Sequence, residues 1–241
     1  PAKPRIPYRR FDDRMTFPKD VQAPAAARRP QTIRVHGLDI TDDYAWLRAD
    51  NWQEVMRDPA TLDPEIRAHL DAENAHAAAM TAGTEALQAR LFEEMKARIK
   101  QDDSSVPAKD GPWAYAVRWV TGGQHPLHVR TPRDGGAEEI LLDGDARAAG
   151  KAYFRLSGVA HSPDHRRIAF GADENGSEYF TLRVRDLEAG RDLDDVVEAT
   201  GGEAVWTAAS DAFFYVRLDD NHRPSKVFLH RLGTPVESDL L

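Results

Sequence analysis

Val159-Ala160-His161-Ser162-Pro163-Asp164-His165-Arg166-Arg167-Ile168-Ala169-Phe170 is the stretch that decides how the chain is read. An apolar step leads into a Ser-Pro-Asp turn, where proline presets the backbone and aspartate can bond nearby amides, and a second strand follows. Residues 179–185 continue the pattern, because Phe180, Leu182 and Val184 alternate with Thr181, Arg183 and Arg185 and so give one apolar face and one wet face. This is one unit of antiparallel sheet. A sheet face cannot bury itself alone, so the reading turns on whether the unit recurs.

It recurs. Laying residues 159–170 over 204–215 sets Ser162 over Thr207 and Phe170 over Tyr215, a displacement of 45 residues. That matches a propeller blade, whose period is about 40–50 residues. The following strand obeys a second ruler: Tyr115 to Leu127, Phe170 to Leu182 and Tyr215 to Val227 are each steps of 12. Three hairpins of one geometry are therefore expected, turning at Gly122-Gly123, Asn175-Gly176 and Asp219-Asp220-Asn221. Three to four strands per repeat at this period favour β-propeller blades over a sandwich. Two to three blades are drawn before Leu240-Leu241. Closed propellers have at least about four, so the chain is expected to be a piece of a larger protein.

Ahead of the sheet the period is helical. Asp63-Pro64-Glu65 starts a helix by capping free amides, suiting the first helical position and complementing the dipole. Ile66, Leu70, Ala77 and Met80 then share a side up to a stop at Gly83. Thr84-Glu85 opens a second helix, with Leu87, Leu91, Met95 and Ile99 in an i, i+4 row flanked by Phe92. The fold class expected is thus an α+β fragment, a helical hairpin followed by mainly antiparallel propeller blades. Three regions follow from the composition: an extended or disordered arm over 1–31, with Pro4, Pro7, Pro18, Pro24 and Pro30 among Arg and Ala and the basic pairs Arg9-Arg10 and Arg28-Arg29 read as a solvated tail; a helical segment over 32–106, which begins with a short strand at residues 32–36; and blades over 107–241.

The 241 residues are 41% hydrophobic, enough for a core, and carry no cysteine, which removes disulfides, thiolate metal sites and cysteine nucleophiles together and fits a cytoplasmic location. No continuous apolar run approaches the ~18 residues of a membrane span. The net charge of −8 hides an asymmetry, since residues 1–34 sum to +6 and the remainder to −14. An acidic body argues against nucleic acid and suits basic ligands.

The search for chemistry finds no G-x-S-x-G, H-E-x-x-H, phosphate loop, dinucleotide fingerprint or calcium loop. His69 and His76 stand two helical turns apart, too far for one metal ion. His161 and His165 are separated by a turn instead of lying on a helix, so a shared ligand role is not expected; Asp164 reads as a turn former and Asp192, Asp194 and Asp195 as a solvated loop. No residue is assigned a catalytic, cofactor-binding or metal-ligating role, and no cofactor is expected.

The assembled segments carry a resemblance. Residues 42–48 (Asp-Asp-Tyr-Ala-Trp-Leu-Arg), Leu70-Asp71-Ala72-Glu73-Asn74, the run from Leu91 into Lys100-Gln101-Asp102-Asp103-Ser104-Ser105-Val106-Pro107 and the Ser162-Pro163-Asp164 blade together look like the N-terminal part of the prolyl oligopeptidase family. The Asp-Asp-Ser-Ser-Val-Pro run, Tyr215-Val216-Arg217 and residues 230–235 resemble its oligopeptidase B (protease II) branch more than prolyl oligopeptidase proper. The likeness covers about residue 24 to the end. It implies a serine peptidase with an α/β-hydrolase domain, on which the helical segment would pack, and a seven-bladed propeller admitting only short peptides, here cleaved after Arg or Lys. The family's triad lies C-terminal to these residues, so the chain alone is expected to be inactive. The alternatives are cleavage after Pro, or a non-enzymatic scaffold module that self-associates through a strand edge near residues 226–231.

Overall fold

The structure, a computed structural model, describes Pro18 and residues 20–241. Residues 1–17 and 19, which hold Arg9-Arg10 and much of the expected arm, lie outside the described residues. The chain divides into two compact units, one of the described residues up to Val55 with Pro59–Ile99, the other of Met56–Asp58 with Lys100–Leu241.

In the first unit, residues 21–30 run without helix or strand into a two-stranded hairpin, β1 (Gln31–Val35) and β2 (Leu38–Asp42), closed by His36 and Gly37 at positive φ. Arg28 and Arg29 keep their side chains in solvent yet are tied to their own chain instead of trailing as a free tail. Arg28 pairs with Asp43, and Arg29 pairs with Glu65 and lies 4.5 Å over the Trp46 ring, whose Nε1 donates to Ala27 O. A short helix α1 (Trp52–Arg57) precedes α2 (Pro64–Thr81), which starts as its sequence predicts: Pro64 fills the first position and the Asp63 carboxylate accepts from the amides of Glu65 and Ile66 at 2.7 and 3.3 Å. A 3-10 turn, Ala82–Thr84, leads into α3 (Glu85–Lys96). The pair buries little of itself. Ile66 alone is fully buried, while Leu91, Phe92, Met95 and Ile99, the last 68% exposed, present an apolar row to solvent.

The second unit is a partial β-propeller. Its first sheet contains β3 (Asp103–Ser104), β4 (Ala108–Asp110), β5 (Trp113–Trp119), β6 (Leu127–Pro132) and β7 (Glu139–Asp143), with β3 and β4 both pairing with β5. After the short α4 (Gly144–Ala148), six antiparallel strands run in order: β8 (Arg155–His161), β9 (Arg167–Asp173), β10 (Phe180–Asp186), β11 (Arg191–Trp206), β12 (Ala212–Leu218) and β13 (Pro224–Arg231). The long β11 belongs to two blades, pairing β10 along its first part and β12 along its last, with a register break around Gly202. A side chain there is excluded: φ is +90°, and a Cβ would meet Ser157 and lie 2.7 Å from the Phe180 ring.

The 45-residue repeat is visible as contacts between equivalent points of neighbouring strands. Ser157 Oγ donates to Gly202 O and His222 Nε2 bonds Ser177 O, each across 45 residues, and Trp206 Nε1 donates to Ala160 O across 46. The core follows the two faces of β9. Ile168 and Phe170, 0% and 1% exposed, pack with Leu141 and Leu142 of the first sheet, whereas Ala169 joins Leu182, Val184, Val197, Phe213 and Tyr215.

Two expectations change. The step of 12 recurs in the second and third hairpins as one shared register, in which Leu182 faces Gly171 and Val227 faces Val216, one place beyond Phe170 and Tyr215. In the first hairpin the residue in that place is Val129, opposite Ala116, not Leu127. The connection there is two residues longer, and a shift of two leaves the same face inward, so alternation cannot reveal it. The aspartates at 192–195 are not a solvated loop but the start of β11. Asp192 is held by Arg147 at 2.5 and 2.6 Å and by Arg185 at 3.3 Å, and Asp195 is buried against His230.

Candidate functional site

The turn at Ser162–Arg166 organises a polar cluster between the first sheet and the second. Ser162 Oγ donates to Asp164 Oδ1 at 2.5 Å and lies 3.2 Å from Arg167 O, so the serine serves the turn and not a neighbouring histidine. Asp164 also accepts from Arg166 N at 3.1 Å, the turn-forming role its sequence predicts, and its own amide donates to Ser210 Oγ at the matching turn of the next blade. His165 takes the left-handed conformation at φ 60°, as Ser210 does. That reversal folds its ring back toward the end of β8, where His161 stands.

The two histidines therefore meet across the turn. Their ring centroids are 5.7 Å apart, and Tyr115 from β5 stacks on His161 at 3.7 Å and 5°. The Tyr115 hydroxyl bonds His165 Nδ1 at 2.8 Å. Asp110, at the end of β4, reaches His161 Nε2 at 2.8 Å, and one ligand atom from each of Asp110, His161 and His165 lies within 4.8 Å of the others. The bond to His161 is the main cause holding the Asp110 carboxyl below the usual range, while burial pushes the Tyr115 phenol up against the opposing pull of Arg130. Arg130 caps the cluster, donating to His165 O at 2.6 Å, with Glu139 at 2.7 Å balancing its charge and the Trp113 ring 3.8 Å beneath it.

Gly111 makes this approach possible. It sits at φ +51°, and a Cβ there would run into His165 Nε2 and come within 3.0 Å of Cε1. His161 also borders an apolar recess of about 320 Å³ between the sheets, lined by Tyr115, Val117, Val129, Val159 and Ile168. Sequence reasoning missed Asp110 and Tyr115 here. The remaining signal, a Gly-Pro turn after Asp110 one blade ahead of the histidines, acquires meaning only once the two sheets are stacked.

A second polar cluster is sealed in the last blade. His230, 0% exposed, meets Asp239 at 2.8 Å through Nδ1 and Asp195 at 3.1 Å through Nε2, and Tyr215 donates to Asp239. It pins residues 238–240 against β13, where Leu240 pairs with Leu229. His69 and His76 stay apart, His69 lying beside Glu73 at 3.6 Å.

A five-stranded sheet followed by a six-stranded sheet whose long β11 serves two blades, with no closed ring among the described residues, defines part of a propeller domain. The chain belongs to the prolyl oligopeptidase family: residues 24–241 match its N-terminal beta-propeller domain. It is 35% identical to dipeptidyl aminopeptidase BI of Pseudoxanthomonas mexicana over 90% of this chain and 31% of that protein, and 28% identical to protease 2 of Moraxella lacunata over 92% and 32%. The solved structure of oligopeptidase B from Leishmania major superposes with a TM-score of 0.82 at 28% identity, covering 91% of this chain and 32% of that one. The chain thus spans about a third of the length of these relatives.

Proposed function

We propose that this chain is the N-terminal and partial propeller region of an oligopeptidase B-like serine peptidase that hydrolyses short peptides after Arg or Lys. The observation that carries this reading is the fold likeness to oligopeptidase B over 91% of the chain, joined to the match of residues 24–241 to the propeller domain of the family. In this reading residues 107–241 are the first blades of a filter that limits substrate size. Residues 32–106 brace an α/β-hydrolase domain elsewhere in the parent protein, an arrangement for which the exposed row Leu91, Phe92, Met95 and Ile99 supplies a reason. The net charge of −14 beyond residue 34 favours basic peptides by long-range attraction. No helix among the described residues is long and apolar enough to cross a membrane; together with the absence of cysteine this agrees with a cytoplasmic enzyme.

The likeness to a protein named dipeptidyl aminopeptidase supports a second reading, in which dipeptides are released from a free N-terminus. Amide substrates with free and blocked N-termini, given to the full-length parent, separate the two. Turnover of the blocked arginyl substrate supports the first reading, and strict dependence on a free amine supports the second. The 241-residue chain alone is expected to hydrolyse neither, and turnover that survives contaminant controls contradicts its role as a region without the triad.

A further inference from the structure

Asp110, His161 and His165 have no part in peptide hydrolysis as read above, yet their placement has a chemistry of its own. Two imidazole nitrogens and one carboxylate oxygen converge within 4.8 Å from two separate sheets, Asp110 from the end of β4, His161 from the end of β8 and His165 from the turn before β9. We propose that these three side chains form a binding site for a divalent first-row cation, zinc by preference, which staples the first sheet to the second.

The donor set selects the ion. Two nitrogens and a carboxylate oxygen suit zinc, which takes three protein ligands and leaves a fourth position for water, whereas calcium and magnesium require oxygen-rich shells. The cluster also has partners that orient its imidazoles: the Tyr115 hydroxyl bonds His165 Nδ1 at 2.8 Å, and the Tyr115 ring stacks flat on His161. Gly111 gives the His165 ring its room. The Asp110 side chain is 60% exposed and that of His161 27%, so an ion can enter from solvent. The nearby guanidinium of Arg130 is balanced by Glu139. An ion held by the three ligands at about 2.0–2.1 Å would replace the direct Asp110–His161 bond with two bonds to metal.

The test is a calorimetric titration of the full chain with zinc chloride, run beside D110N, H161A, H165A and, as a control away from the cluster, H69A. One equivalent of zinc in the micromolar range or tighter is expected, with affinity at least about tenfold weaker in each of the three cluster variants and unchanged in H69A. Tyr115→Phe, which keeps the stack and removes the hydroxyl, should weaken binding by about tenfold, as the loss of an outer partner does. X-ray absorption of the zinc-loaded wild-type chain needs no variant to fold, and should show two imidazoles with oxygen neighbours. Millimolar affinity, binding by H161A and H165A as tight as by the wild-type chain, or a zinc shell with fewer than two imidazoles would overturn the proposal.

Discussion

Phe170 carries more of the second unit than any polar residue near it. At 1% exposure it is wedged with Ile168 against Leu141 and Leu142, and the Arg147 guanidinium lies 4.9 Å over its ring. Phe170→Ala removes that ring and leaves a cavity where two stacked sheets have little freedom to collapse. The expected loss is about 3 kcal/mol or more in urea unfolding; a loss below about half of one kcal/mol would mean Phe170 does not face the first sheet. Asp173 is the polar counterpart. Burial opposes its charge, but the amides of Asn175, Glu178, Ser177 and Gly176 outweigh that and hold the carboxyl below its ordinary range. A depressed folded value means that the unfolded chain takes up the proton first. The contribution is therefore full above the unfolded value near about 3.9, and is lost as pH falls through the lower folded value. Asp192 adds to the same window, because Arg147 and Arg185 outweigh its burial. Asp173→Asn should lower stability at pH 7 and flatten its decline as pH falls below about 4, as read by denaturant midpoints at each pH. An unchanged acid slope would remove Asp173 from the account.

Among the elements, α2 is the cleanest case of a sequence dictating its own start, since Asp63, Pro64 and Glu65 each meet one need of the first turn. Asp63→Ala should cost about 1 kcal/mol, seen as a drop in helical circular dichroism on mild heating before the sheet unfolds. Strands were legible for a related reason: Phe180, Leu182 and Val184 alternate because one side of β10 is buried, and that pattern survives in any sequence whose sheet has two unlike faces. Register was less legible. The displacement from Leu127 to Val129 is invisible to alternation, and the pairing of Asp195 with His230 spans 35 residues that no local pattern links. The histidine cluster is beyond local pattern for another reason: His165 takes a left-handed conformation that its type does not announce, and Asp110 enters only through a strand one blade earlier.

At the scale of the whole molecule, the 45-residue period was readable because equivalent residues do equivalent work in each blade, and the contacts of Ser157 with Gly202 and of His222 with Ser177 restate that period as hydrogen bonds. What the blades enclose was not readable, since a propeller's channel is built by residues from all its blades together. In the proposed reading, the exposed row Leu91, Phe92, Met95 and Ile99 is the surface on which a further part of a peptidase would rest. The measurement that bears most directly on this account is hydrolysis by the full-length parent protein of blocked tripeptide amides that differ only in Arg, Lys or Pro before the cleaved bond. The account predicts that Arg and Lys substrates exceed the Pro substrate in kcat/KM by at least about a hundredfold, because a site built to pair a cationic side chain rejects a residue that leaves its polar groups unpaired. Preference for Pro, or equal rates for all three, would contradict it.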